Sequence, residues 1–406
     1  MTYFNGSMMS NINNIYNNNY SQSNTMMIQF KPITNSSQIS DINDTSFINS
    51  TLQALASINC FNMWIQNLQY NQNLSNNFPN LKITKELFNL FSSIYSGAFP
   101  DSTDLILNYF NKVKMIHKEK IENSIEFLYY LIQLIHYENN CPPNPNQNMN
   151  SINNLPIIQK MDDEFVRNFF FTLLKQTHNS IISQNFYNII RQEIICSNCP
   201  TKYSYYFKYM IKFNVSDYIK YRNEFNPGKS SFRLTLDDCF TCYTGGYPYK
   251  CEACGNTKAN TYNSFCIFPK VLLIALIRTK HNYCCDVDFT NNLNVNAYYI
   301  KGINNNMNYT LKACISLNVQ GNYFSYININ NIWYKYFGKQ FSPLSYNNND
   351  IKMFEPQILI YESQEKMFNS INNNIPQMQM SGNFNMSGIY TNMNFMPNMN
   401  FGYNFP

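Results

Sequence analysis

Two Cys-x-x-Cys knuckles constrain this chain more than any other feature. Cys196-Ser-Asn-Cys199 and Cys251-Glu-Ala-Cys254 supply four thiolates in two pairs, a set suited to a closed, tetrahedral, structural zinc site. The residues flanking each knuckle read as strands, so a bound metal would clip two hairpins together. The stretch between the knuckles, residues 200–250, is longer than in a small zinc ribbon. It also holds a third pair, Cys239 and Cys242, which with Cys251 and Cys254 makes an alternative four-cysteine site. Cys239 follows Leu236 at an amphipathic position that favours burial, which ranks this alternative second.

The metal reading depends on the compartment. Residues 1–36 lack a charged segment followed by an apolar stretch, so no secretory leader is expected. The longest apolar run, Val271 to Ile277, is too short to span a bilayer. An intracellular location, cytoplasm or nucleus, follows, where the 12 cysteines would be reduced or metal-bound rather than disulfide-paired. The formal net charge of +5 comes with no dense basic run, so nucleic acid is not indicated as a partner.

Hydrophobic residues make up 44% of the 406, enough for a sizeable core, while charged residues reach only 13%. Asparagine takes their place in the loops. Residues 1–36 read as a disordered Asn/Ser-rich segment, residues 139–156 as a Pro-containing loop, and residues 363–406 as a low-complexity polar–aromatic tail. Between about 46 and 190 the apolar spacing is helical. Ile48, Leu52 and Leu55 share one face, as do Phe127, Leu131 and Leu134; Leu87, Phe91 and Ile94 form another, stopped by Gly97 and Pro100. From about 203 to 362 the pattern turns to short β-rich runs. A helical half followed by a strand-rich half predicts an α+β fold.

Five blocks, in order, resemble the ubiquitin-specific protease family. Ile42-Asn-Asp-Thr-Ser-Phe-Ile-Asn-Ser-Thr-Leu-Gln-Ala-Leu55 is similar to the family's nucleophile box, and Ile121-Glu-Asn-Ser-Ile-Glu-Phe-Leu128 to its Q-Q-D-A-x-E-F-L segment. The knuckles come third. Phe268-Pro-Lys-Val-Leu-Leu-Ile-Ala-Leu-Ile-Arg278 is the fourth. The fifth runs from Tyr309 through Gly321-Asn-Tyr323 and Trp333-Tyr-Lys-Tyr336 to Tyr361. The resemblance covers about residues 37–362. It implies a papain-like hand with a helical thumb (37–190), zinc-bearing β fingers (191–265) and a β palm (266–362). Ubiquitin would be gripped by the fingers, its tail lying between thumb and palm against Glu126, Asn123, Gly321 and Tyr323.

The departures fall on the chemistry. By resemblance Ser46 replaces the nucleophilic cysteine, Asn322 the histidine base, Phe337 the orienting aspartate, and Asp41 the oxyanion-side asparagine. No catalytic residue is intact. Ser46 reads instead as an N-cap of the first thumb helix. Cys60, 14 residues further on, has no base near it in sequence, and none of His117, His136, His178 and His281 matches the base position. The expectation is a pseudoenzyme that binds ubiquitin or another protein partner. Two alternatives stay open: a scaffold subunit, for example in RNA processing, and a hydrolase with a rearranged site.

Overall fold

The computed structural model describes residues 45–70, 81–96, 101–116, 121–140, 169, 178, 180–225, 233–278, 286–300, 307–318, 320–337, 340–344 and 355–364. The 1–36 segment, the 139–156 loop beyond Asn140 and the 363–406 tail beyond Gln364 lie outside these residues.

A helical layer comes first: α1 (Ser46–Ala56), α2 (Asn59–Tyr70), α3 (Lys82–Ser96), α4 (Thr103–Ile116), α5 (Ser124–Asn139) and α6 (Ile181–Phe186). In α3 the stripe Ile83, Leu87, Leu90, Phe91 and Ile94 is buried, as the 3.6-residue period demands. Every residue of α1 from Phe47 to Ala56 is buried. A helix covered on all sides is a central one. Its first turn meets α5 through an edge-on contact of Phe47 with Phe127, ring centroids 6.0 Å apart.

The rest is mostly strand. β1 (Asn188–Cys196) and β2 (Cys199–Lys208) form a hairpin; β3 (Ile211–Asn214) follows, then α7 (Val215–Phe225), β4 (Arg233–Thr235) and α8 (Leu236–Thr244). The chain continues through β5 (Tyr247–Tyr249), β6 (Ala259–Ile267), β7 (Val271–Ile277), β8 (Asp286–Asp288) and β9 (Asn292–Asn294). It finishes with β10 (Asn308–Leu317), β11 (Tyr323–Ile329), β12 (Ile332–Phe337), β13 (Gln340–Pro343) and β14 (Glu355–Ser363). One sheet has the order β2-β1-β6-β5; an eight-stranded sheet runs β13-β12-β11-β10-β14-β7-β3, with β9 paired to β10.

Two details differ from the expected halves. Strand begins at Asn188 rather than near 203, because the Ile-rich run Ile189-Ile190 to Ile194-Ile195 pairs on both sides, with β2 and β6. Two helices, α7 and α8, also interrupt the strand-rich half. α8 is set by a capping box in which Thr235 Oγ1 accepts from the Asp238 N–H and Asp238 Oδ2 accepts from the Thr235 N–H.

The centre of the large sheet is buried on both faces. Side chains alternate across a strand, so Leu273, Ala275, Ile358, Ile360, Ala313 and Ile327 point to the helical layer. Leu272, Ile274, Leu276, Leu359, Cys314 and Tyr326 point to a second core. α8 closes that second core with Leu236, Cys239, Phe240 and Cys242. Continuous burial explains why β7 reads Val-Leu-Leu-Ile-Ala-Leu-Ile without a polar break. The helical layer, the four-stranded sheet and the two-faced sheet together are the thumb, fingers and palm of the expected α+β hand. Among the described residues no helix is long and apolar enough to cross a membrane.

Candidate functional site

The start of α1 and the start of β11 meet. Thr45 occupies the N-cap position with φ −104° and ψ 4° and makes no side-chain cap bond, while its carbonyl accepts from the N–H groups of Ile48 and Asn49. Ser46 is therefore already helical, and its expected capping role is not what the structure shows. Its side chain leaves the helix, and Ser46 Oγ accepts the backbone N–H of Tyr323 at 3.0 Å, 277 residues away in sequence. The Tyr323 ring packs on Phe47, centroids 6.1 Å apart.

A tight turn presents Asn322. Asn318 Oδ1 accepts from the N–H groups of Gln320 and Asn322, and the Gly321 N–H returns to the Asn318 carbonyl at 3.0 Å. Gly321 has φ +84°, a left-handed conformation that favours glycine. Phe337 closes β12 and is 37% exposed. Its ring meets Phe324, two residues beyond Asn322 on the paired strand, at 6.5 Å. The structure thus brings positions 46, 322 and 323 together, with position 337 on the adjoining strand. Asp41, His117 and His281 lie outside the described residues.

The first turn of α5 packs against the start of α1 through Phe127 and Phe47. Asn123 is the N-cap of α5, and Asn123 Oδ1 accepts the Glu126 N–H at 2.9 Å. The N-x-x-E spacing carries that signal in sequence. Glu126 is half-buried, and its charge acts on Lys212 of β3, opposing the burial that lowers the lysine's pKa. Lys212 Nζ lies 4.5 Å from the Tyr129 ring centroid, an arrangement that favours the cation.

The other candidate groups are not set up for catalysis. Burial, then the charge of Glu362, raises the Cys60 thiol well above its ordinary value, the reverse of what a nucleophilic thiolate needs. His136 and His178 stack at 5.3 Å, and His136 Nδ1 lies 2.6 Å from Ser180 Oγ. Burial lowers them to about 3 and about 4, the neighbouring His178 adding to the shift of His136.

At the far end of the four-stranded sheet the knuckles converge. Cys196 and Cys199 are register partners across the turn of the β1–β2 hairpin, and Cys251 to Cys254 form the turn that leads into β6. The four Sγ atoms all lie within 4.8 Å of one another, with Cys196 to Cys254 at 3.6 Å and Cys251 to Cys199 at 3.8 Å. Four thiolates about 2.3 Å from a central zinc are about 3.8 Å apart in a tetrahedron, so this cluster fits a four-coordinate metal. The Asn198 N–H is the first cause of lowering the Cys196 thiol to about 7. Among the described residues this is the one group arranged to hold a metal; Cys239 and Cys242 are buried in the second core instead. Asn256, whose Nδ2 reaches Cys196 Sγ at 3.6 Å, was not foreseen, although an asparagine just past a Cys-x-x-Cys-Gly turn is well placed to do so.

Comparison with known proteins agrees with this geometry. No curated protein sequence matches the chain. Among solved structures, the SAGA Ubp8/Sgf11/Sus1/Sgf73 DUB module bound to ubiquitin aldehyde is similar at 15% identity and a TM-score of 0.57, over 88% of this chain and 75% of that one. The same module bound to monoubiquitin is 16% identical with a TM-score of 0.57, over 88% and 74%. The yeast SAGA DUBm with an Sgf73 mutant gives 16% and 0.56, over 83% and 69%. At these identities the likeness shows the fold. The family model described as ubiquitin carboxyl-terminal hydrolase matches residues 39–361, and with the hand-shaped fold around it this places the chain in the ubiquitin carboxyl-terminal hydrolase family, as a ubiquitin-specific protease homologue.

Proposed function

We propose that this chain is a non-hydrolytic member of its family, which holds ubiquitin or a ubiquitin-bearing protein in the groove between α1, α5 and β11 without cutting it. The contact between Ser46 Oγ and the Tyr323 N–H carries the reading. By resemblance Ser46 stands at the nucleophile position and Tyr323 follows the base position, and the residues at those positions would not perform the transfer. A serine hydroxyl needs a positioned base to become a nucleophile. The Asn322 carboxamide takes no proton near neutral pH, and Phe337 offers no carboxylate to orient a base. Asp41, by resemblance at the oxyanion position, would repel a developing negative charge.

Binding has separate support. Solved structures of similar fold hold monoubiquitin and ubiquitin aldehyde. Glu126, Asn123, Gly321 and Tyr323 would line the tail channel here. Lys212 partly offsets Glu126, so that end of the channel attracts a basic tail less than a lone carboxylate would. Cys196, Cys199, Cys251 and Cys254 would hold a structural zinc, which when bound fixes the finger tip and supplies no chemistry to the groove. Residues 37–362 form the working unit, with thumb, fingers and palm divided at about 190 and 265.

A second reading is a scaffold that binds protein subunits and not ubiquitin; the multi-subunit setting of the similar structures favours it. Titrating labelled ubiquitin onto the full-length protein separates the two. Saturable binding supports the first, and no binding up to about millimolar concentration supports the second. Turnover of a ubiquitin–fluorophore conjugate that disappears in Ser46→Ala would overturn the non-hydrolytic assignment.

A further inference from the structure

We propose that Asn256 is the positioning residue that sets the geometry and lifetime of the four-cysteine centre, an inference that rests on the metal reading above. One residue ties the two knuckles together. Its Nδ2 donates to Ser197 Oγ at 2.9 Å and reaches Cys196 Sγ at 3.6 Å, both in the first knuckle. Its backbone carbonyl accepts the Cys251 N–H at 2.8 Å in the second knuckle. Its Oδ1 accepts the Lys258 N–H at 2.9 Å, just before β6. Gly255, at φ +70°, makes the bend that turns Asn256 back, and its N–H closes on the Cys251 carbonyl at 2.7 Å.

The Lys258 N–H fixes which end of the amide faces the sulfur. A flipped amide would forfeit that bond and set Oδ1 against Cys196 Sγ, so the network assigns the NH2 to the sulfur side. Cys196 then receives two N–H donors, Asn198 N at 3.5 Å and Asn256 Nδ2 at 3.6 Å. Neutral donors stabilise a metal-bound thiolate without repelling the cation, and such outer partners orient and tune the ligands they touch.

Two substitutions separate thiolate support from simple ordering of the turn. Asn256→Ala removes both the sulfur-side donor and the acceptor for Lys258. Asn256→Asp keeps that acceptor and places an anionic oxygen beside the thiolate. If Asn256 only ordered the turn, the aspartate variant would be the milder one. Thiolate support gives the opposite order.

The test uses full-length protein purified with zinc, competed against a chromogenic chelator, with both release rate and affinity read. Cobalt-substituted absorption spectra report the number of thiolate ligands in each variant. We expect Asn256→Ala to lose about 10- to 100-fold in affinity with the four-thiolate spectrum retained, and Asn256→Asp to lose more. Unchanged retention in Asn256→Ala, or an aspartate variant that holds zinc as well as or better than the alanine variant, overturns the proposal while leaving the metal reading intact. Wild-type protein that carries no metal overturns both.

Discussion

Ser46 Oγ accepts the backbone N–H of Tyr323 at 3.0 Å, so the position that by resemblance would carry a nucleophile serves as a bridge between the first helix and the sheet. A side chain used in this way restrains the start of α1 against the start of β11. It also means that restoring sulfur alone restores little.

On the proposed non-hydrolytic reading, Ser46→Cys should show no turnover of a ubiquitin–fluorophore substrate. Removing one member of a catalytic triad can cost about as much as removing all three, and Asn322 and Phe337 would still be in place. Any hydrolysis should await a variant that also carries Asn322→His and Phe337→Asp. Turnover by Ser46→Cys alone would show that this groove holds a base in another residue.

Ser46→Ala should destabilise the protein by about 1–3 kcal/mol, because Tyr323 is buried and its N–H would lose an acceptor. Chemical denaturation at pH 7 measures this, with an unchanged slope showing that the unfolded state is unaffected.

Acid should weaken the fold well before the carboxylates titrate. Burial holds His136 at about 3 and His178 at about 4, against about 6.5 in an unfolded chain. Between those values the unfolded state binds more protons, so stability rises with pH and is lost as pH falls from about 6.5 towards 4. The slope should approach about 1.4 kcal/mol per pH unit for each histidine. Thermal midpoints from pH 7 to pH 5 should show it, and His136→Gln should flatten the curve.

Phe240→Ala should cost about 3–5 kcal/mol. Phe240 stacks on Tyr298 at 4.7 Å and meets Phe213 edge-on at 5.0 Å, so it fastens α8 to the outer face of the large sheet. Urea unfolding followed by far-ultraviolet dichroism is the measurement. A cost below 1 kcal/mol would mean that α8 is held by its other buried residues.

Much of this was legible in the sequence because it depends on local spacing. Ile48, Leu52 and Leu55 fall on one helical face whatever surrounds them, and all three are fully buried. The knuckles carry their ligand chemistry in four residues each. Thr235 and Asp238 spell a capping box for α8, but Cys239 and Cys242 just beyond it carry a competing metal-ligand signal. The partner of Ser46 could not be read locally. Whether its hydroxyl caps its own helix or reaches a strand depends on the register of a sheet built 277 residues later, and no short-range pattern encodes that.

The place of β14 sets an order of events during synthesis. This strand, Glu355–Ser363, lies between β10 and β7 and pairs with both, so the two parts of the large sheet cannot join until residue 363 has left the ribosome. Until then β7 and β10 present open edges of the kind that recruit foreign strands. A nascent chain stalled before Glu355 would be a substrate for chaperones, however well its thumb had formed.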